Sequence, residues 1–256
     1  MELIEFIDQA KLTKELDRAT GEGLKVAIVD SGVDISHPAL KGAVHSSYHV
    51  QKFNMSFSCN PIQYPTDEIG HGTMCAGVIH DIAPQAEIYS VKVFDGYKTS
   101  IGHIITAIDW CVKNKMDVVN LSLCSKKMSS QELADLHRVV ENAYYKDVLL
   151  IAATDNHVRT GFPADFSSVI GVDFENKPDF KTFDFHTNRP YEIDARGIYV
   201  KVIKPGNREE TVSCSSIATP HITGLACRLK SCIPSLNSHQ LKTLLWALRS
   251  NTANED

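Results

Sequence analysis

Residues 26–34 read Val26-Ala27-Ile28-Val29-Asp30-Ser31-Gly32-Val33-Asp34, an apolar run that ends on a carboxylate at a glycine-containing turn. Residues 25–29 therefore predict a buried strand, since a short continuous apolar run bounded by turn signals suits a strand covered on both faces. Glu87-Ile88-Tyr89-Ser90-Val91-Lys92-Val93 predicts a second strand, residues 117–123 a third and residues 148–153 a fourth. Between them the period changes. Ile101, Ile104, Ile105, Ile108, Cys111 and Val112 recur at helical spacing, and residues 130–145 form another helical stretch with Ser130 and Glu132 near its start. Alternating strands and helices predict an α/β fold: three layers, with a mostly parallel central sheet and helices on both faces.

Beyond Pro163 the pattern shifts to short strands at residues 168–173, 191–194 and 199–204. A helix is expected over 219–228, with Pro220 in its first turn where the missing N–H does no harm, and a closing helix over 238–248. No repeat, low-complexity tract or Pro/Gly/Ser linker divides the sequence, so residues 1–256 are expected to form one domain.

Composition narrows the function. With 43% hydrophobic and 22% charged residues the chain can build a sizeable core, and a net charge of −5 gives no polyanion-binding signature, so nucleic acid is not an expected partner. No apolar run approaches the roughly 18 residues of a membrane span. Residues 1–8, with Glu2, Glu5 and Asp8, are acidic where a signal peptide is basic. Seven cysteines form an odd set without regular spacing, which suits a reduced, cytoplasmic protein better than a disulfide framework.

Three segments carry chemistry, in the order Asp, His, Ser. Asp30 stands at the carboxyl end of a strand, where open α/β sheets place their sites, although an Asx turn would use the same residue and Asp34 competes with it. His71 lies in Gly70-His71-Gly72-Thr73-Met74-Cys75-Ala76-Gly77. Ser216 lies in Ser215-Ser216-Ile217-Ala218-Thr219-Pro220-His221, with Ser213 and Ser215 as rivals by residue type. A serine hydroxyl is a poor nucleophile until an imidazole takes its proton, and the imidazole needs a carboxylate to fix its tautomer.

On these three motifs, and over residues 25–248, the chain resembles the subtilisin-like serine proteases, the subtilases. The resemblance implies an Asp30–His71–Ser216 triad and leaves His221 structural. It implies a second oxyanion donor at Asn156, in register with Gly161-Phe162-Pro163-Ala164. It further implies that Ser122, Leu123 and Cys124 line the first specificity pocket, that Ala152, Ala153 and Gly161 form its walls, and that Ile101 and Ile104 line a second, apolar pocket. Substrate would bind by strand addition. Cys75 is expected as a buried bystander under the triad.

Two departures carry consequences. Asp155 replaces a glycine, and its carboxylate would oppose an oxyanion unless turned away. Cys214-Ser215 replaces Gly-Thr, and a glycine-like dihedral at Cys214 would be strained. The segment His80-Asp81-Ile82-Ala83-Pro84 lacks the calcium-loop insertion many relatives have, and Ala39 stands where they have an Asp. No metal and no cofactor are therefore expected.

The expected function is peptide-bond hydrolysis on a peptide or protein substrate through an acyl-enzyme, in a dedicated processing role such as leader-peptide removal during maturation of peptide natural products. Only about 24 residues precede the Asp30 strand, against several dozen in a family propeptide. A transpeptidase or macrocyclase would need a water-excluding insertion, for which residues 44–69 are the candidate. An inactive peptide-binding homologue is the third reading.

Overall fold

The computed structural model describes residues 9–250; the acidic stretch at residues 1–8 lies outside them. After a short helix α1 (Gln9–Arg18), strand β1 (Lys25–Asp30) takes the fourth place in a nine-stranded sheet. β2 (Val44–Phe53) and β3 (Ser56–Pro61) follow, then helix α2 (His71–Ile82), β4 (Glu87–Lys92), α3 (Ile101–Lys113), β5 (Val118–Leu121), α4 (Ser130–Tyr145) and β6 (Leu149–Ala153). The remaining elements are β7 (Ile170–Glu175), β8 (Asp184–Phe185), β9 (Ile193–Arg196), the hairpin β10 (Val200–Lys204) and β11 (Arg208–Val212), α5 (Ser215–Cys232) and α6 (Ser238–Leu248).

The sheet order is β3-β2-β4-β1-β5-β6-β7-β9-β8, parallel from β2 to β9 with one antiparallel strand at each edge. β1 pairs with β4 on one side and β5 on the other. Its carboxyl end therefore opens where successive connections diverge, the position at which such sheets form clefts.

Period-two alternation builds two apolar layers. Val26 and Ile28 face a cluster with Met74 and Ile79 of α2 and Ile217, Ile222 and Leu225 of α5. Ala27 and Val29 face the opposite cluster, with Ile104 and Ile108 of α3 and Leu136 and Val140 of α4. α4 begins with a capping box, Ser129 and Glu132 bonding each other's backbone N–H groups.

Two expectations change. Helix α5 begins at Ser215, four residues before the start expected, so Pro220 lies inside it. Its ring removes the N–H that would bond the carbonyl of Ser216, and the helix survives because that carbonyl finds other donors. Of the candidate insertion at residues 44–69, the part at 44–61 forms the β2–β3 hairpin at the sheet edge. The Phe57 ring lies against Gly102 and edge-on to His103, so this segment is an extension of the sheet and not a lid.

Candidate active site

Asp30 is the last residue of β1 and only 1% exposed. Its Oδ1 accepts the Ser31 N–H at 2.7 Å, and its two oxygens lie 2.8 and 2.9 Å from His71 Nδ1. A carboxylate only accepts, so Nδ1 carries the proton and Nε2 keeps its lone pair free to act as a base. The charge of Asp30 raises the His71 pKa above 6.5, against the opposing effect of burial.

His71 is the first residue of α2, and the sequence brings that helix unusually close to β1. A Cβ at Gly72 would stand 2.1 Å from the Gly32 carbonyl oxygen and 3.1 Å from Asp30 Cβ, so no other residue fits there. The helix start is fastened by a residue that the motifs do not point to. Asp67 accepts the N–H of Gly70 at 2.8 Å and of Thr73 at 2.9 Å, the Thr73 hydroxyl at 2.6 Å and the Ser31 hydroxyl at 2.7 Å. Ser31 Oγ in turn accepts the Gly72 N–H at 3.0 Å. The signal was available: Asp67 stands three residues before the helix N-cap Gly70, where an Asp bonds free N–H groups. Asp34, the rival carboxylate, closes an Asx turn on Ser36 and accepts the Gly206 N–H at 3.2 Å, away from His71.

Ser216 is the second residue of α5. Its carbonyl, deprived of a rung by Pro220, accepts the Ser122 hydroxyl at 2.8 Å and the Cys75 thiol at 3.6 Å. Ser122 Oγ accepts from Asn120 Nδ2 at 2.9 Å, and Asn120 Oδ1 accepts from Thr223 at 3.0 Å, so a buried chain of side chains ties β5 to α5 at Ser216. The Cys75 thiol also lies 3.8 Å from Asp30 Oδ2. This fully buried residue thus spans from the carboxylate to the backbone of Ser216, and burial pushes its pKa well up. The Ser216 hydroxyl lies against the thiol of Cys214.

Asn156 follows β6. Its Oδ1 accepts the Ser215 N–H at 2.8 Å, while Ser215 Oγ lies 2.7 Å from the Thr154 carbonyl. Because an N–H must meet an oxygen, the amide orientation is fixed, and Nδ2 is left without a partner among the described residues. The two departures are accommodated locally. Asp155 turns its carboxylate to the N–H groups of His157 and Val158 and to Lys126 at 3.0 Å, with Lys126 foremost in holding its pKa at about 2. Cys214 sits at φ −170°, ψ 161°, ordinary extended backbone without strain.

The expected pocket residues divide. Leu123 and Cys124 are partly exposed, and Gly161, at φ 153°, would place a Cβ 3.2 Å from Cys124 Sγ. The Ser125 and Phe162 backbones exchange hydrogen bonds at 2.9 and 3.0 Å, which joins the two walls. Ser122, Ala152 and Ala153 are buried at 3%, 0% and 1% beneath them. Ile101 and Ile104, 6% and 3% exposed, pack into the layer shared with Val29 and Val93 and present little surface to a ligand, because helix α3 turns its apolar face inward. No described helix is long and apolar enough to cross a membrane.

The profile of the subtilase family matches residues 21–254. The chain belongs to the subtilase family. It is 34% identical over 235 residues to the thermostable alkaline protease of Halalkalibacterium halodurans, an alignment covering 87% of this chain and 61% of that protein. It is 31% identical over 244 residues to subtilisin E of Bacillus subtilis, covering 88% and 60%. The chain thus spans about three fifths of the length of these curated relatives. Among solved structures it is similar to the psychrophilic protease S41 (TM-score 0.74, 26% identity, 89% and 83% of the chains covered). It is also similar to the prenylagaramide maturation protease PagA (TM-score 0.69, 26% identity, 91% and 85% covered).

Proposed function

We propose that the chain is a serine endopeptidase that hydrolyses peptide bonds through an acyl-enzyme. The observation that carries this reading is the pairing of His71 with the buried Asp30, which leaves Nε2 as the free base of the imidazole. In the acylation step the Ser216 Oγ–H proton passes to His71 Nε2 as the Oγ–C bond forms, and the carbonyl electron pair moves onto oxygen. The N–H of Ser216, at the start of α5, and Asn156 Nδ2 receive that charge, the kind of preset donor pair that stabilises a transition state. Collapse breaks the C–N bond, His71 gives its proton to the leaving amine, and water repeats the sequence to release the acid.

Substrate would lie extended along residues 122–124, with its first side chain between those residues and Gly161. A processing role, such as trimming a leader from a ribosomally made peptide, is supported by the likeness to a maturation protease. Seven unpaired cysteines suit a reducing, cytoplasmic setting. Labelling with a fluorophosphonate followed by peptide mapping tests the core of the reading. Modification is expected on Ser216 and lost in Ser216→Ala; an unlabelled protein, or a label on Ser213 or Ser215, overturns it. Cleavage of leader–core fusions against unrelated peptides tests the processing role.

A further inference from the structure

The turn that carries Asn156 has both of its ends on one carboxylate. Thr154 Oγ1 donates to Asp173 Oδ1 at 3.0 Å, and Arg159 Nε lies 3.0 Å from Asp173 Oδ2 as an ion pair whose N–H is off the hydrogen-bond line. Asp173 is fully buried in β7, in a run Val169-Ile170-Gly171-Val172 that is otherwise apolar. A carboxylate there is costly without partners; besides the adjacent Phe174 N–H, its partners are the first and last residues of the 154–159 turn. The rest of the turn is closed by the Arg159 N–H on the Asp155 carbonyl at 3.0 Å. Arg159 itself adopts φ 54°, a left-handed conformation that disfavours a branched or long side chain, while its guanidinium reaches inward to Asp173. Thr154 also supplies the carbonyl that anchors Ser215 Oγ, so the same strand end fixes the turn and the start of α5.

We propose that Asp173 is a positioning residue which, by holding Thr154 and Arg159 together, sets the Asn156 amide against Ser215 and so presents Nδ2 at the oxyanion position. The proposal rests on the oxyanion role given to Asn156 above. Asp173 touches no reacting atom; it acts through the turn. A displacement of about 1 Å at such a donor is enough to cost on the order of 100-fold in rate.

The test is a double-mutant cycle on the full chain with a peptide substrate, reading kcat and KM separately and Tm in parallel. Asp173→Asn keeps an acceptor for Thr154 but abolishes the ion pair. Its kcat is expected to fall at least about tenfold with KM changed by less than about twofold. In an Asn156→Ala background the same substitution is expected to cost less than about twofold, since the donor it positions is already gone. Arg159→Gly supplies a second route that does not disturb a buried residue: it relieves the left-handed backbone yet removes the guanidinium. It should also lower kcat, and Arg159→Lys should recover part of the loss. Wild-type kcat in both Asp173→Asn and Arg159→Gly, or an equal loss with and without Asn156, overturns the proposal. If Asp173→Asn does not fold, Arg159→Gly and its cycle decide alone. Wild-type kcat in Asn156→Ala overturns the oxyanion reading and this one together, whereas absence of fluorophosphonate labelling at Ser216 in the unsubstituted chain overturns the peptidase reading itself.

Discussion

The side-chain oxygen of Asn156 lies 2.8 Å from the backbone nitrogen of Ser215, the residue before the proposed nucleophile. This one bond decides which end of the amide faces the substrate. It also couples the loop after β6 to the first turn of α5, so donor and nucleophile keep a fixed separation.

Asn156→Ala is expected to lower kcat by roughly 100- to 1,000-fold with little change in KM, as for a donor used in the transition state. Asn156→Asp should be nearly as slow, because it keeps the acceptor for Ser215 and loses only the donor. Steady-state kinetics on both variants checks the assignment; an active Asn156→Asp would exclude Nδ2 as the donor.

The pH profile should report the Asp30–His71 pair. Asp30 raises the His71 pKa, so the protonated, inactive imidazolium persists to higher pH, and activity falls as pH drops through that raised value. Asp30→Asn removes the charge. Its acidic limb in kcat/KM should move to lower pH while kcat drops by about 10,000-fold through the wrong tautomer. Asp34→Asn, whose carboxylate serves a turn, should leave the limb in place.

Ser122→Ala is expected to destabilise the protein, because the Ser216 carbonyl has no backbone donor above it in the helix. With only the weak Cys75 thiol at 3.6 Å left as a donor, the carbonyl is under-satisfied, at a cost of up to about 1–3 kcal/mol, read as a lower midpoint in denaturant titration. Pro220→Ala restores the missing N–H, so in that background the penalty should shrink. Equal penalties in the two backgrounds would show that the Ser122 bond is not replacing the lost rung.

Cys214 is a half-buried thiol beside Ser216, and burial raises its pKa above 9. Thiolate is the reactive form, so inactivation by iodoacetamide should be slow at neutral pH and accelerate as pH rises through and beyond 9. Cys214→Ser should resist. Inactivation that persists in that variant would point to another residue.

Chelation is expected to leave Tm unchanged. Helix α2 runs without interruption from His71 to Ile82, with Ala83 closing it on the Ile79 carbonyl, and Ala39 offers no ligand atom on its side chain. A native-state metal at a hundredfold excess over its Kd would stabilise by about 2.7 kcal/mol, so a clear fall of Tm in EDTA would reveal one.

The sheet and its flanking helices were legible because periodicity carries them: β1 and α3 match the apolar runs almost residue for residue. Their motifs marked Asp30, His71 and Ser216 because chemistry restricts the residue types that can stand there. The start of α5 was not legible, since a proline six residues into a helix reads as a boundary until tertiary donors for the Ser216 carbonyl are known. Ile101 and Ile104 illustrate a second limit: an apolar residue at helical spacing reads the same whether it faces a pocket or the core. Asp67 and Asp173 are a third. Asp67 sits where a local pattern could have marked it, but its tie to Ser31 and the ties of Asp173 to Thr154 and Arg159 join segments far apart along the chain, which no local pattern announces.

The knot of bonds around Asp67 lies within one short stretch of the chain. Residues 30–73 contain everything needed to seat His71 on Asp30, so that pair can form as soon as α2 lies against β1. The nucleophile is some 140 positions further on, and Asn156 meets its tether only when α5 has docked. The proposed catalytic set is therefore complete only once α5 is docked, and the segment ending at α2 carries the proposed base without its nucleophile.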